Sequence, residues 1–385
     1  MSHFFNGYKG GLRFFGYNVT RSRYTFVGVE TMSVIKVSAP GRICLFGEHQ
    51  DYLGLPVIAM AINLRIGLEA SLHDRTIFRV DMPDTVEQME IDPNLEQTYT
   101  HHRDYLRSAV NILRREGLRW DRGYSCTMRG TIPINAGVSS SSAMVIMWLR
   151  FLLETATPHL SFTEEQLANW GYQTEVAEFG DPGGMMDHYC AALGGILKIR
   201  TQPPFSAERW SMPLSGFVLG HSLEPKATLE TLGRNRRDVT EGMNAVKTQL
   251  PEFALSTTPL EEVEPHLSTL PPDPVRRLRA NLINRDLTPR AEKAIQAGNA
   301  EELGKLLTAH HHQLRDGLDL STPKIERMMN AALQAGALGG KINGSGGGGC
   351  MFAYAPGCEQ EVAEAIQREG GVPYIVRGDT GALCE

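Results

Sequence analysis

The chain has 385 residues, 42% of them hydrophobic, enough for one large domain or two of ordinary size. A formal net charge of −6 argues against a protein that binds nucleic acid or an anionic membrane through bulk charge. No apolar run reaches the roughly 18 residues that a membrane span needs; the longest, Ala143 to Leu153, is interrupted by Arg150 and reads as a buried helix.

Residues 1–31 set Lys9, Arg13, Arg21 and Arg23 against one acid, Glu30, and lack the apolar centre of a secretory signal. They read as a poorly ordered extension, with a domain starting at Met32. Ser33 to Val37 is a β-rich run leading into Ala39-Pro40-Gly41. Leu55 to Leu72 is apolar and β-branched, which predicts buried strand broken by turns. A helix is predicted over Thr100 to Glu116 and a strand over Gly123 to Met128. Gly137 opens a Ser-rich turn ahead of a helix at Ala143 to Thr155. Thr163 with Gln166 three residues on is a capping box, so a helix should run from there to Phe179 and stop at Gly180-Asp-Pro-Gly-Gly184.

Pro203-Pro204 reads as the boundary between an N-terminal domain, 32–202, and a C-terminal domain, 203–385. Pro271-Pro272 reads as loop. Helices are predicted at Pro289 to Ala297, Ala300 to Arg315, Pro323 to Ala335 and Glu359 to Glu369. A glycine-rich loop at Gly339 to Gly349 precedes strands at Cys350 to Tyr354 and Val372 to Val376. Strands and helices interleave without a regular βαβ repeat, so the class is α+β, two lobes with a cleft between them. Cysteines at 44, 126, 190, 350, 358 and 384 show no CxxC spacing. They read as small packed hydrophobes in a reducing cytoplasmic protein.

Four polar clusters stand out. Pro133-Ile-Asn-Ala-Gly-Val-Ser-Ser-Ser-Ser-Ala143 joins a close-approach glycine to a helix start, where outward N–H groups and the helix dipole favour an anion such as a triphosphate. No Gly-Lys-Ser/Thr follows, so it is not a Walker loop. Glu175 and Asp187 lie twelve residues apart across a Pro-Gly-Gly turn that can fold both towards one cleft. Phosphoryl transfer needs one group to hold Mg²⁺ and another to take the proton of the attacking hydroxyl. Glu178 competes with Glu175. Gly41-Arg-Ile-Cys-Leu-Phe-Gly-Glu-His-Gln-Asp-Tyr52 gathers Arg42, Glu48, His49 and Asp51, a set suited to a polyhydroxylated ligand and too irregular in spacing for zinc. Lys341-Ile-Asn-Gly-Ser-Gly-Gly-Gly-Gly-Cys350 can close over phosphate or bring two backbones together. The run His310-His311-His312 reads as a partly exposed helix face, because adjacent helical residues point different ways.

Together these segments resemble the three signature blocks of the GHMP kinases, in family order. The first block, with its Arg42 and Glu48-His49-x-Asp51-Tyr52, and the segment from Glu175 to Asp187 are most similar to galactokinases. The resemblance implies a two-lobed fold, with an N-terminal lobe like ribosomal protein S5 domain 2, a ferredoxin-like C-terminal lobe and the active site between. It implies an ATP- and Mg²⁺-dependent transfer to the anomeric hydroxyl of a hexose, galactose first. By motif, Asp187 is the base and Arg42 steadies the transferring group. Ser141 and Glu175 ligate Mg²⁺. Asn135, Ala136, Gly137, Val138, Ser139, Ser140 and Ser141 hold the triphosphate. Glu48, His49, Asp51 and Gly184 contact the sugar.

Three positions depart from the galactokinase pattern. Gly233 stands where a sugar-contacting tyrosine precedes an Arg-Arg pair, Cys44 replaces an asparagine, and Leu53 follows Asp51-Tyr52 in place of another. A uronic acid, an amino sugar or mevalonate are therefore alternative acceptors, and a catalytically silent sugar and nucleotide sensor is an alternative function. The expected partners are ATP and a small sugar, with no nucleic acid and no membrane, in a monomer or homodimer.

Overall fold

One long strand organises the first sheet. In the computed structural model, which describes residues 34–212, 214–226, 228–268 and 271–385, β1 (Ile35–Phe46) pairs antiparallel with β2 (Val57–His73). The extension expected over 1–31 and the start at Met32 lie outside the described residues. β1 does not end at Ala39-Pro40-Gly41. A register shift between Pro40 and Gly41 absorbs the missing N–H, and the strand continues. β2 is likewise unbroken where turns were expected, because its 17 residues pair with β1 along one edge and with two further strands along the other.

β3 (Phe78–Met82) and β4 (Glu87–Ile91) form a hairpin at the sheet edge. They were not read from the sequence, since charged residues dilute their alternation. α1 (Tyr105–Arg115) then leads to β5 (Gly123–Gly130), which pairs with both β2 and β3. α2 (Ser140–Thr155) crosses the back of β1, burying Val145, Ile146, Trp148, Leu149 and Phe151 in the main core. α3 (Glu164–Tyr172) starts on the expected capping box, Thr163 Oγ1 with Gln166 N–H at 3.1 Å and Gln166 Oε1 with Thr163 N–H at 2.8 Å. It does not run regularly to Phe179. Its last turn widens over Gln173–Ala177, where Glu178 N–H reaches back to Gln173 O at 3.0 Å.

A further helix, α4 (Met186–Leu193), follows the Pro-Gly-Gly turn and packs on β1. β6 (Ile196–Arg200) pairs with β2, and β7 (Ser206–Trp210) pairs with β6. Pro203-Pro204 is therefore a hairpin turn inside the first sheet, and the chain leaves that sheet only after Trp210.

β8 (Phe217–His221) opens a second, four-stranded sheet. α5 (Thr228–Gln249), the short α6 (Leu260–Val263) and α7 (Pro272–Gln296) carry a satellite core around Val239, Val246, Leu278 and Leu282. Pro272 is the first residue of α7, a position that needs no N–H, and Pro289 lies inside that helix. The helix expected at Pro289 to Ala297 is only its last part. α8 (Ala300–His312) and α9 (Pro323–Gln334) precede β9 (Gly339–Asn343), which occupies the first half of the expected glycine loop. β10 (Cys350–Tyr354), α10 (Glu359–Arg368) and β11 (Val372–Val376) complete the sheet in the order β11-β8-β10-β9. The final strand β12 (Leu383–Cys384) returns to β1, so the last residues belong with the first sheet. This is a mixed α+β fold with an N-terminal and a C-terminal half. No helix among the described residues is long and apolar enough to cross a membrane.

His310 and His311 are buried, contrary to the exposed face expected of them. His310 stacks on Phe46, with ring centroids 5.5 Å apart. His311 accepts the Ile342 N–H at Nδ1 and faces Glu326 through Nε2 at 2.9 Å. They pack α8 against β1 and β9.

Candidate active site

A cavity of about 370 Å³ is lined by Arg42 on β1, Ser139 to Ser142 at the start of α2, Glu175 in the widened turn and Asp187 on α4. Asp187 Oδ1 accepts a hydrogen bond from Arg42 Nε at 2.8 Å, and Arg42 Nη2 lies at the same distance as an ion pair. Arg42 Nη1 donates to Gly137 O at 2.6 Å, tying the pair to the Ser-rich loop. Burial works against the charge of Asp187, but Arg42, Ser139 and His188 outweigh it and hold the carboxyl below its ordinary range. Burial likewise opposes the charge on Arg42, and Asp187 and Glu48 more than restore it.

Four of the seven described non-glycine residues with positive φ line this cavity: His49 at 63°, Arg103 at 70°, Asn135 at 55° and Ser139 at 60°. Such backbone is unfavourable for side chains with a Cβ and gathers where a site dictates it. At Ser139 it ends the loop and starts α2 with no side-chain cap, so the first N–H groups of the helix point into the cavity. Asn135, Gly137, Ser139, Ser140 and Ser141 line the space, whereas Ala136 and Val138 are buried and face the core. Val138 O instead accepts the Arg42 N–H at 3.2 Å.

Glu175 is distinguished from Glu178 by the widened turn. Glu175 faces the cavity, where its Oε2 meets His188 Nε2 at 2.8 Å. Burial would raise its pKa, but His188, Ser142 and Ser141 bring it below the usual value. Glu178 points away and is held by Arg115, at 2.7 and 2.8 Å, and by the Tyr99 hydroxyl.

At the other end of the cavity, the Asp51 carboxylate sits against Gly184 so closely that a Cβ there would lie 2.0 Å from Oδ2. Only glycine fits. Burial and the nearby Asp187 push the Asp51 pKa up to about 6, against the Tyr52 N–H that donates to Oδ1 at 2.9 Å. His49 has both ring nitrogens engaged. Nε2 faces Ser345 O at 3.2 Å, and a carbonyl only accepts, so the proton sits on Nε2. Nδ1 then accepts from the Tyr52 hydroxyl at 3.0 Å. Burial lowers the His49 pKa and keeps the ring neutral in this arrangement. Glu48 lines the cavity but is paired with Lys341, whose Nζ lies 2.7 Å from Oε2 and 2.8 Å from Cys44 O.

The glycine-rich segment is what joins the halves. Asn343 accepts the Cys44 N–H at 2.8 Å and donates to Gly137 O at 2.8 Å. Gly344 approaches Gly137 so that a Cβ would lie 2.5 Å from its carbonyl oxygen. The segment thus brings two backbones together, holding the first block and the Ser-rich loop in register.

The sequence reading missed Lys226, Arg103, Tyr105, Tyr52 and His188, all of which line the cavity. Lys226 precedes α5 and has no sequence neighbour that signals its role. Burial and Arg42 lower its pKa, while Asp187 and Glu175 raise it, so its ammonium faces the same space as these groups. Arg103 pairs with Asp181 at 2.7 Å across the cavity rim.

Residues 104–195 match the GHMP kinases N terminal domain, residues 291–372 match GHMP kinases C terminal, and residues 25–71 match the galactokinase galactose-binding signature. The mevalonate kinase of Thermococcus gammatolerans is 32% identical over 354 residues, 89% of this chain and 95% of that protein. The chain belongs to the GHMP kinases. It is therefore a phosphotransferase with an alcohol acceptor. Among other GHMP kinases, the galactokinase of Haemophilus influenzae is 27% identical over 335 residues, 84% of this chain and 85% of that protein. The structure of the Lactococcus lactis galactokinase complexed with galactose superposes with a TM-score of 0.80 at 22% identity, covering 91% of this chain and 95% of that one. That likeness bears on the fold.

Proposed function

We propose that this GHMP kinase transfers the γ-phosphoryl of ATP to the anomeric hydroxyl of a hexose, with galactose as the reference acceptor. The observation that carries the reading is the Arg42–Asp187 pair, set between the open N-terminus of α2 on one side and Asp51 on the other. Asn135 to Ser141 and the first N–H groups of α2 hold the triphosphate, through backbone at Ala136 and Val138 and through side chains at the serines. Lys226 and Arg42 face the transferring group.

Asp187 accepts the hydroxyl proton. A carboxylate held this acidic does not ionise a sugar hydroxyl in advance, so the proton moves as the new O–P bond forms, in keeping with a loose transition state. Asp51 receives hydroxyl hydrogens of the ring beside Gly184, and Tyr52, oriented by His49, offers its oxygen lone pairs. Glu48, neutralised by Lys341, contributes an acceptor without adding a free charge.

The residues present fit Mg²⁺. The Ser141 hydroxyl and the Glu175 carboxylate are hard oxygen donors lying together, and His188 steadies the carboxylate. When bound, the ion would neutralise charge on the phosphate oxygens. A second reading, mevalonate as acceptor, is favoured by the 32% identity to the Thermococcus protein. ATP-dependent turnover of a panel of free sugars and mevalonate tests the choice. Turnover of mevalonate and of no sugar overturns the sugar reading and leaves the kinase in place.

A further inference from the structure

A second space adjoins the cavity beside Pro182. A groove of about 780 Å³ runs along α5, lined by Gly233, Arg236, Arg237, Thr240 and Glu241. Pro182 lines both spaces, and the consecutive residues Leu232 and Gly233 line one each, so the two meet at the start of α5. Gly233 stands at this junction, in the interior of a 22-residue helix.

Nothing inside the protein requires glycine there. A Cβ at Gly233 would meet only the flexible end of Arg237, Nη1, at 3.4 Å, and its φ is ordinary for a side chain. A helix-interior glycine costs about 1 kcal/mol relative to alanine. Gly184 and Gly344 differ, since a Cβ at either would strike neighbouring atoms. The space at Gly233 is open to a group from outside the chain.

The charge of the groove indicates what that is. Arg236 and Arg237 are exposed, and neither has a carboxylate within ion-pair distance among the described residues, while Glu241 is the one acid on the groove wall. On the cavity side, Lys341 faces Glu48, Arg42 faces Asp187 and Arg103 faces Asp181, while Asp51 has no cation within ion-pair distance among the described residues. Arg236 is near enough to act electrostatically on the Tyr52 phenol, which places its charge at the acceptor end.

We infer that the acceptor carries an anionic group, a carboxylate or a phosphate, which passes through the gap at Gly233 and is seated by Arg236 and Arg237. The inference rests on the placement of the acceptor hydroxyl beside Asp187 proposed above. It deepens that reading, since a hexose with an acidic arm becomes a better acceptor than galactose itself. Planar guanidinium groups suit both candidate anions.

The test compares kcat/KM for D-galactose, D-galacturonate, D-galactose 6-phosphate and mevalonate in the full chain, in Arg236→Ala, in Arg237→Ala and in Gly233→Tyr. At least one anionic acceptor should exceed galactose about tenfold or more, the scale of a charge-assisted contact, and its chemistry separates carboxylate from phosphate. Each arginine variant should lower the ratio of anionic to neutral acceptor about tenfold. Gly233→Tyr should do the same by closing the gap, with a melting temperature equal to or above that of the parent as evidence of folding. Galactose as the preferred acceptor, with a ratio indifferent to all three substitutions, overturns the inference and leaves the sugar kinase standing. Mevalonate as the preferred acceptor, with turnover dependent on both arginines, upholds the arginine seat and overturns the sugar reading.

Discussion

Replacing Asp51 by Asn separates what this residue does for binding from what it does to stability. In the folded protein, burial and Asp187 raise its pKa from 3.8 to about 6. A carboxyl raised on folding holds a proton that the unfolded chain releases between those values. Stability is therefore lost as pH climbs from about 4 to about 6, and the loss is complete above that range. A difference of this size converts to about 3 kcal/mol, trimmed to about 2 because Asp51 opens onto the cavity. Asn keeps the shape and the acceptor for the Tyr52 N–H and carries no charge. Urea unfolding at pH 8 should show Asp51→Asn more stable than the parent by about 2 kcal/mol, falling to about half that at pH 5. The same variant should raise the acceptor KM at least about tenfold while the ATP KM changes little. A gain absent at pH 8, or larger at pH 5 than at pH 8, would refute the electrostatic argument.

Asp187→Asn should lower kcat by about 10²-fold or more, and near-normal turnover in a folded variant would remove Asp187 as the proton acceptor. Glu175→Gln should lose activity that excess Mg²⁺ partly restores, whereas Glu178→Gln should not respond to added Mg²⁺; titration of activity against metal distinguishes them. Lys226→Ala should cut kcat/KM for ATP by about tenfold, and an unchanged value would show that its ammonium does not meet the phosphates. Lys341→Met leaves Glu48 charged, buried and unpaired, and should destabilise by about 3–5 kcal/mol in urea. Adding Glu48→Gln should recover part of that loss, and strict additivity of the two would deny the coupling.

Much of the site was legible because its chemistry is local. The Ser-rich turn before α2, the capping box at Thr163 and the spacing from Glu175 to Asp187 are short-range patterns, and each element they announce is present. Arg42 and Asp187 could be named one by one, but their pairing spans 145 residues and depends on α4 packing against β1. The choice of Glu175 over Glu178 turned on a widened helical turn that side-chain periodicity does not encode. Lys226 and Lys341 carried no motif signal of their own, and only their buried surroundings give them a role.

The α+β class and the principal polar groups can be read from the sequence alone, because phosphate and metal chemistry demand particular residue types at short spacing. Which of those groups are free depends on the packing. It turned Pro203-Pro204 into a hairpin turn and occupied both nitrogens of His49. It neutralised Glu48 with a lysine from the far end of the chain and set Gly233 beside Arg236 and Arg237 on one groove. The physical reason is that a charge or a hydrogen-bonding atom is defined by its partners. In this fold those partners are set by the packing of two sheets, which brings Cys44 and Asn343 together across 299 positions of chain.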